Sequence, residues 1–175
     1  TTDDSRRYLL GYLPEINQKT YTLGAVYRHR AGNHSQTVVL SNSFLNNRNT
    51  KYLNNDDSDP DNRTLYINSD EVEYHFRAEH TSALKRFRIN AGINLDYSVY
   101  RNTLQQRVFT DRLRQFDYHT DLGIVRWGLF ASGEYASPDG RFGASLGLRL
   151  DANNAARSMR NLFEQFSPRL SLSYR

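Results

Sequence analysis

The chain has 175 residues, enough for one domain, and a polar composition: 38% hydrophobic residues and a mean hydropathy of -0.76, yet 13% aromatic, with 12 Tyr and 9 Phe. A disordered chain lacks such aromatics, and a helical protein shows Ala, Leu, Lys and Glu in a 3.6-residue rhythm, so both descriptions are excluded. The net charge of +4 rests on 23 basic residues, all Arg except Lys19, Lys51 and Lys85, and the absence of Cys excludes disulfides and thiolate metal sites.

In chain order, alternation of apolar and polar residues predicts eight strands. YLLGYL marks the first, over residues 6–13, and YTLGAVYRH the second, over 20–30, after a moderate loop PEINQKT. The third, 36–47, carries QTVVLSNSFLNN and follows the tight turn AGNHS. A long polar loop, NRNTKYLNNDDSDPDN, leads to the fourth strand, 63–81, in which Val72, Tyr74, Phe76 and Ala78 oppose Glu71, Glu73, His75, Arg77 and Glu79.

After the short TSALK comes the clearest case, 86–102. Phe87, Ile89, Ala91, Ile93, Leu95, Tyr97 and Val99 share one face, and Arg88, Asn90, Gly92, Asn94, Asp96 and Ser98 the other. The segment TLQQRVFTDRLRQF reads as a long loop before the sixth strand, 117–136, whose phase breaks near Val125 and Arg126 as a bulge would cause. SPDG then turns into 141–152, where Phe142, Ala144, Leu146, Leu148 and Leu150 alternate with polar or small residues. NNAARSMRNLFEQFS connects to the last strand, 167–175.

Long and short connections therefore alternate, as in an up-and-down outer-membrane barrel with short periplasmic turns and long extracellular loops; a Greek-key sandwich has no such requirement. No apolar run reaches 18 residues, which excludes a transmembrane helix but not barrel strands. The expected fold class is all-β, an antiparallel up-and-down transmembrane β-barrel segment of about eight strands, with residues 1–175 forming a single unit.

Motifs for chemistry are sparse. The Asp-rich loop Asn54–Asn62 offers oxygen ligands but lacks the Gly and closing Glu of an EF-hand, and turn formation accounts for the same residues. The five His fall into no metal spacing, His75 and His80 lying on opposite faces of one strand. No nucleophile elbow, Walker or dinucleotide fingerprint occurs, so no enzyme, metal site or cofactor is expected. Acidic residues interleave with Arg, which breaks up a nucleic-acid stripe. In a barrel the polar phase lines the lumen, making Arg88, Asn90, Asn94, Asp96, Glu134, Arg149 and Asp151 the lumen-facing candidates. Tyr8, Tyr12, Tyr21, Tyr27, Tyr97, Tyr135 and Tyr174 suit aromatic girdles.

The wording FEQFSPRLSLSYR, the block RWGLFASGEYASPDGRFGASLGLRLDANN and the loop NNRNTKYLNND resemble the barrel region of TonB-dependent outer-membrane receptors of the Bacteroidetes type. The resemblance implies a barrel of about 22 strands closed by an N-terminal plug. Such a receptor imports a scarce solute, such as an iron chelate, vitamin or glycan, and is driven by the TonB complex. It further implies outer-membrane lipid and a surface lipoprotein as partners and the outer membrane of a Gram-negative bacterium as location. Plug, TonB box and signal peptide are not in the sequence, so the chain is expected to be an excerpt of a barrel. A small complete barrel or porin, and a soluble all-β binding module, stand as alternatives.

Overall fold

The computed structural model describes residues 13–109 and 113–175. They form one antiparallel sheet of seven strands in sequence order: β1 (Glu15–Ala31), β2 (His34–Tyr52), β3 (Arg63–Leu84), β4 (Phe87–Phe109), β5 (Leu113–Ala136), β6 (Phe142–Asn153) and β7 (Phe166–Tyr174). Among the described residues β1 and β7 stand at the two ends of this strand order, and no pairing between them closes it. Among the described residues the only helical pieces are short 3-10 turns, and none is long and apolar enough to cross a membrane.

Seven of the eight expected strands are present, and residues 6–12 of the first, 6–13, lie outside the described residues together with Tyr8 and Tyr12. Two expected loops are instead strand. PEINQKT belongs to β1 from Glu15 onward, and most of TLQQRVFTDRLRQF extends β4 to Phe109 and starts β5 at Leu113. The polar sequence hides this, because the cross-strand contacts there are themselves polar: Arg101 Nε lies 3.4 Å from Asp121 Oδ2, and Thr103 Oγ1 3.3 Å from His119 Nδ1. The strict alternation of loop lengths therefore fails between β4 and β5. β2 likewise continues to Tyr52, where Thr64 Oγ1 donates to the Lys51 carbonyl at 3.2 Å, so the long loop shrinks to 53–62.

By packing, the described residues divide into two units: those up to Thr22 with Ser43–Val72 and Val99–Gly123, and Leu23–Asn42 with Glu73–Ser98 and Ile124–Arg175. The first holds the loop 53–62, whose acidic residues act as turn formers. Asp56 Oδ1 accepts from the Ser58 N–H (3.0 Å) and Ser58 Oγ (2.6 Å), and Asp59 caps the 3-10 turn Pro60–Asn62 by accepting from the Asp61 N–H at 2.9 Å. Ser58, through its hydroxyl and then its N–H, holds the Asp56 carboxyl below the usual carboxylate range.

The second unit holds three short turns. Gly32, with φ +57°, opens the two-residue turn into β2, a conformation that suits glycine. Lys85, with φ +45°, adopts the same left-handed region without that freedom. The turns are laced together, Ala83 N–H donating to the Asn33 carbonyl (2.8 Å) and Ala136 N–H to that of Arg86 (3.1 Å). In the third turn Asp139 accepts from Ser137 Oγ and the Arg141 N–H, which depresses its carboxyl in that order of effect.

The register in this unit sorts the side chains by face. Leu129, Ala131 and Tyr135 of β5 stand opposite Leu150, Leu148 and Ala144 of β6, while Leu146, Ala144 and Phe142 stand opposite Leu170, Leu172 and Tyr174 of β7. All belong to one apolar face. The β5–β6 ladder pairs one to one from Ala136 to Arg126, and Asn154 closes it on Val125, its N–H donating to the Val125 carbonyl at 3.1 Å and its Oδ1 accepting from the Val125 N–H at 2.9 Å. The break in alternation at Val125 and Arg126 thus coincides with the end of the ladder.

Burial runs opposite to that of a protein with an apolar core. On β4, Ile93 and Leu95 are 44% and 46% exposed, whereas the side chain of Asp96 on the other face is 26% exposed. The only buried hydrophobic residue among those described is Ala152.

Candidate functional site

The polar face of the second unit gathers charged groups from neighbouring strands. His75 of β3 donates from Nδ1 to Asp96 Oδ1 of β4 at 2.8 Å and lies with Nε2 3.3 Å from Glu73 Oε2. Arg126 of β5 completes the group, with Nε 3.9 Å from Asp96 Oδ2 and Nη2 4.0 Å from Glu73 Oε1. Ser98 Oγ links them, accepting from Arg126 Nη2 (3.2 Å) and donating to Glu73 Oε1 (3.4 Å). Alternation puts these residues on one face, and antiparallel pairing brings them level. Their partial exposure makes each pair worth at most about 1 kcal/mol. Their main effect is to hold a hydrated, oriented polar wall.

A second cluster lies over Gly128. A Cβ at that position would stand 2.6 Å from Asp151 Oδ1 and 2.8 Å from Asn94 Nδ2, so glycine is what lets these two side chains converge. Arg149 Nε donates to Asp151 Oδ2 at 2.6 Å. Nearby, the Arg77 guanidinium lies 4.7 Å over the Phe130 ring, and the ring in turn covers Gly92, where a Cβ would come within 2.5 Å of it.

Of the seven lumen-facing candidates, Asp96 joins the His75–Arg126 group, and Asn94, Arg149 and Asp151 meet around Gly128. Glu134 stands opposite Ser145 and lines an open depression of about 720 Å³ with Arg169 and Gly147. The Asn90 Oδ1 atom is buried without a hydrogen-bond partner, and Arg88 is exposed at the start of β4. The candidates therefore fall into separate groups along the face. Glu73, His75 and Arg126 were missed as members of the cluster, although the first two share the polar phase of β3. The signal was present; the register needed to use it was not.

The apolar face carries its own order. Phe87, Tyr135 and Phe142 form a row across β4, β5 and β6, with ring centroids 5.0 and 6.3 Å apart. Tyr174 stands opposite Phe142 in register and extends the row to β7. Ten residues along β4 from Phe87, Tyr97 stacks on Tyr74 of β3 with centroids 6.2 Å apart. Tyr21 stacks on Phe44 in the first unit at 5.4 Å, and Tyr27 is exposed. Among the described residues, no group of three His, Asp or Glu side chains is arranged to hold a metal ion.

No family model matches the chain, and no curated protein matches it in sequence.

Proposed function

We propose that the chain is a section of the wall of an outer-membrane β-barrel, its apolar face turned to lipid and its polar face to a wet lumen. The observation that carries this reading is the spacing of the aromatics on that apolar face. From Phe87 to Tyr97, ten residues of strand rise about 33 Å, which at a tilt near 40° is about 25 Å of height, the thickness of the apolar band of such barrels. Between the two levels lie Ile89, Ala91, Ile93 and Leu95. Trp127 and Tyr135 give about 20 Å on β5 by the same arithmetic.

The reversed burial supports the same assignment, since a water-soluble sheet of this length needs its apolar face covered. On the resemblance of its sequence blocks, the larger protein is a TonB-dependent transporter of an iron chelate, vitamin or glycan. In that setting the TonB complex acts through a plug, and a surface lipoprotein is a further partner.

The test is to dilute the denatured chain into detergent micelles and phospholipid vesicles. Strand-type circular dichroism with protease protection in vesicles is expected. A folded monomer in plain buffer would overturn the membrane assignment and leave a soluble all-β binding module. The transporter assignment is tested separately by the reading frame upstream of Thr1. A plug and TonB box are expected there, and a frame without them removes transport while leaving the barrel.

A further inference from the structure

Two histidines that are 46 positions apart in sequence converge at the rim of short turns, away from the polar clusters above. His34 opens β2 and His80 lies near the end of β3; their rings stack with centroids 5.6 Å apart and planes 23° from parallel. Both aim a nitrogen at one point. Ser82 Oγ is 2.9 Å from His34 Nδ1 and 3.0 Å from His80 Nε2. The backbone beneath is fixed by the Ala83 N–H to Asn33 carbonyl bond at 2.8 Å, which joins the residues next to His34 and Ser82.

From this geometry we propose that His34 and His80 form a binding site for a late first-row divalent cation, Zn²⁺ or Ni²⁺, bridging β2 and β3. Imidazole nitrogens suit these ions, at metal–nitrogen distances of about 2.0–2.1 Å. The present nitrogen-to-hydroxyl distances of 2.9 and 3.0 Å must shorten by roughly 0.9 Å. Exposed side chains reach that by small rotations, while the backbone stays in register. The ion takes the place the Ser82 hydroxyl now holds, with His34 carrying its proton on Nε2 and His80 on Nδ1. Water fills the remaining positions. Among the described residues no carboxylate pairs with either ring, unlike His75, whose two nitrogens are engaged by Asp96 and Glu73.

Titrating the untagged, folded chain with Zn²⁺ and with Ni²⁺ against a chromogenic chelator tests the proposal. One ion per chain is expected, with His34→Ala and His80→Ala each weakening binding at least about tenfold, the cost seen for losing even an outer partner of a metal ligand. His75→Ala and His119→Ala should leave the affinity unchanged. Ni²⁺ added to the unsubstituted chain should broaden the imidazole resonances of His34 and His80 before those of the other histidines, a readout that needs no variant. An unsubstituted chain that takes up neither ion, or His34→Ala and His80→Ala variants that bind like the parent, would overturn the site.

Discussion

Replacing Ile93 by Arg separates a lipid-facing sheet from a water-facing one by size of effect. Ile93 lies six residues from Phe87 and four from Tyr97, near mid-height of the apolar face of β4, and is 44% exposed. Leu84, at the end of β3 beside the turn at Lys85, is similarly exposed at 48% and serves as the control. In water both are surface changes worth about 0.5 kcal/mol or less. In a bilayer an Arg at the midplane costs about 2–4 kcal/mol, falling to about 0–1 near the interface. The ratio of folded to unfolded chain should then fall about thirty- to a thousandfold for Ile93→Arg and by less than about sixfold for Leu84→Arg. Equilibrium guanidinium unfolding in phospholipid vesicles reads both. Equal effects at the two positions, or a loss under about 1 kcal/mol at Ile93, would refute the lipid-facing assignment.

Gly92→Ala places a Cβ 2.5 Å from both the Ala78 carbonyl and the Phe130 ring, so it should cost about 1–3 kcal/mol in the same unfolding assay. A double-mutant cycle with Phe130→Ala should recover the part due to the ring and none of that due to the Ala78 backbone. Lys85→Asn relieves a left-handed backbone that Asn tolerates, and should stabilise the chain by up to about 1 kcal/mol, read as a higher denaturation midpoint. For Asp139, the native carboxyl titrates below its unfolded value, so its contribution is present above the unfolded pKa and lost as pH falls through the native one. The difference in midpoint between the parent and Asp139→Asn should therefore be largest near neutral pH and vanish on acidification. A difference that grows as pH falls would contradict the hydrogen-bond geometry of that turn.

What the residues disclosed in advance follows from where a strand meets two unlike surroundings. Phe87 to Val99 alternate because one face is apolar and the other polar, so strand, phase and the candidate Asp96 were legible together. The segments 15–20 and 103–109 are equally extended, but their few apolar residues, Ile16 in the first and Leu104, Val108 and Phe109 in the second, keep to no single phase, so alternation vanishes although Thr103 finds a partner on β5. Length was misjudged there for the same reason. The polar cluster needs more than phase. Asp96 meets His75 and Arg126 only when β3, β4 and β5 are placed level, and single-residue errors of register would put each on the opposite face. His34 and His80 lie in different strands for the same reason, and no spacing within one segment announces them.

The break at Val125 joins these points. Up to Arg126, β5 has β6 beside it, and its apolar residues Trp127, Leu129, Ala131 and Tyr135 continue a face that extends through β6 to β7. Beyond that, Asn154 closes the ladder on Val125, and of the exposed apolar residues, Phe116, Tyr118 and Leu122 fall on the other phase while Leu113, at the strand's start, does not. A phase change in an unbroken strand therefore marks a change in what the strand faces, with no inserted residue required in its ladder to β6. It follows that each stretch of strand must be assigned its own apolar face. On that basis, and in the barrel proposed above, the apolar band of the second unit is bounded on β4 by Phe87 and Tyr97 and on β5 by Tyr135 and Trp127.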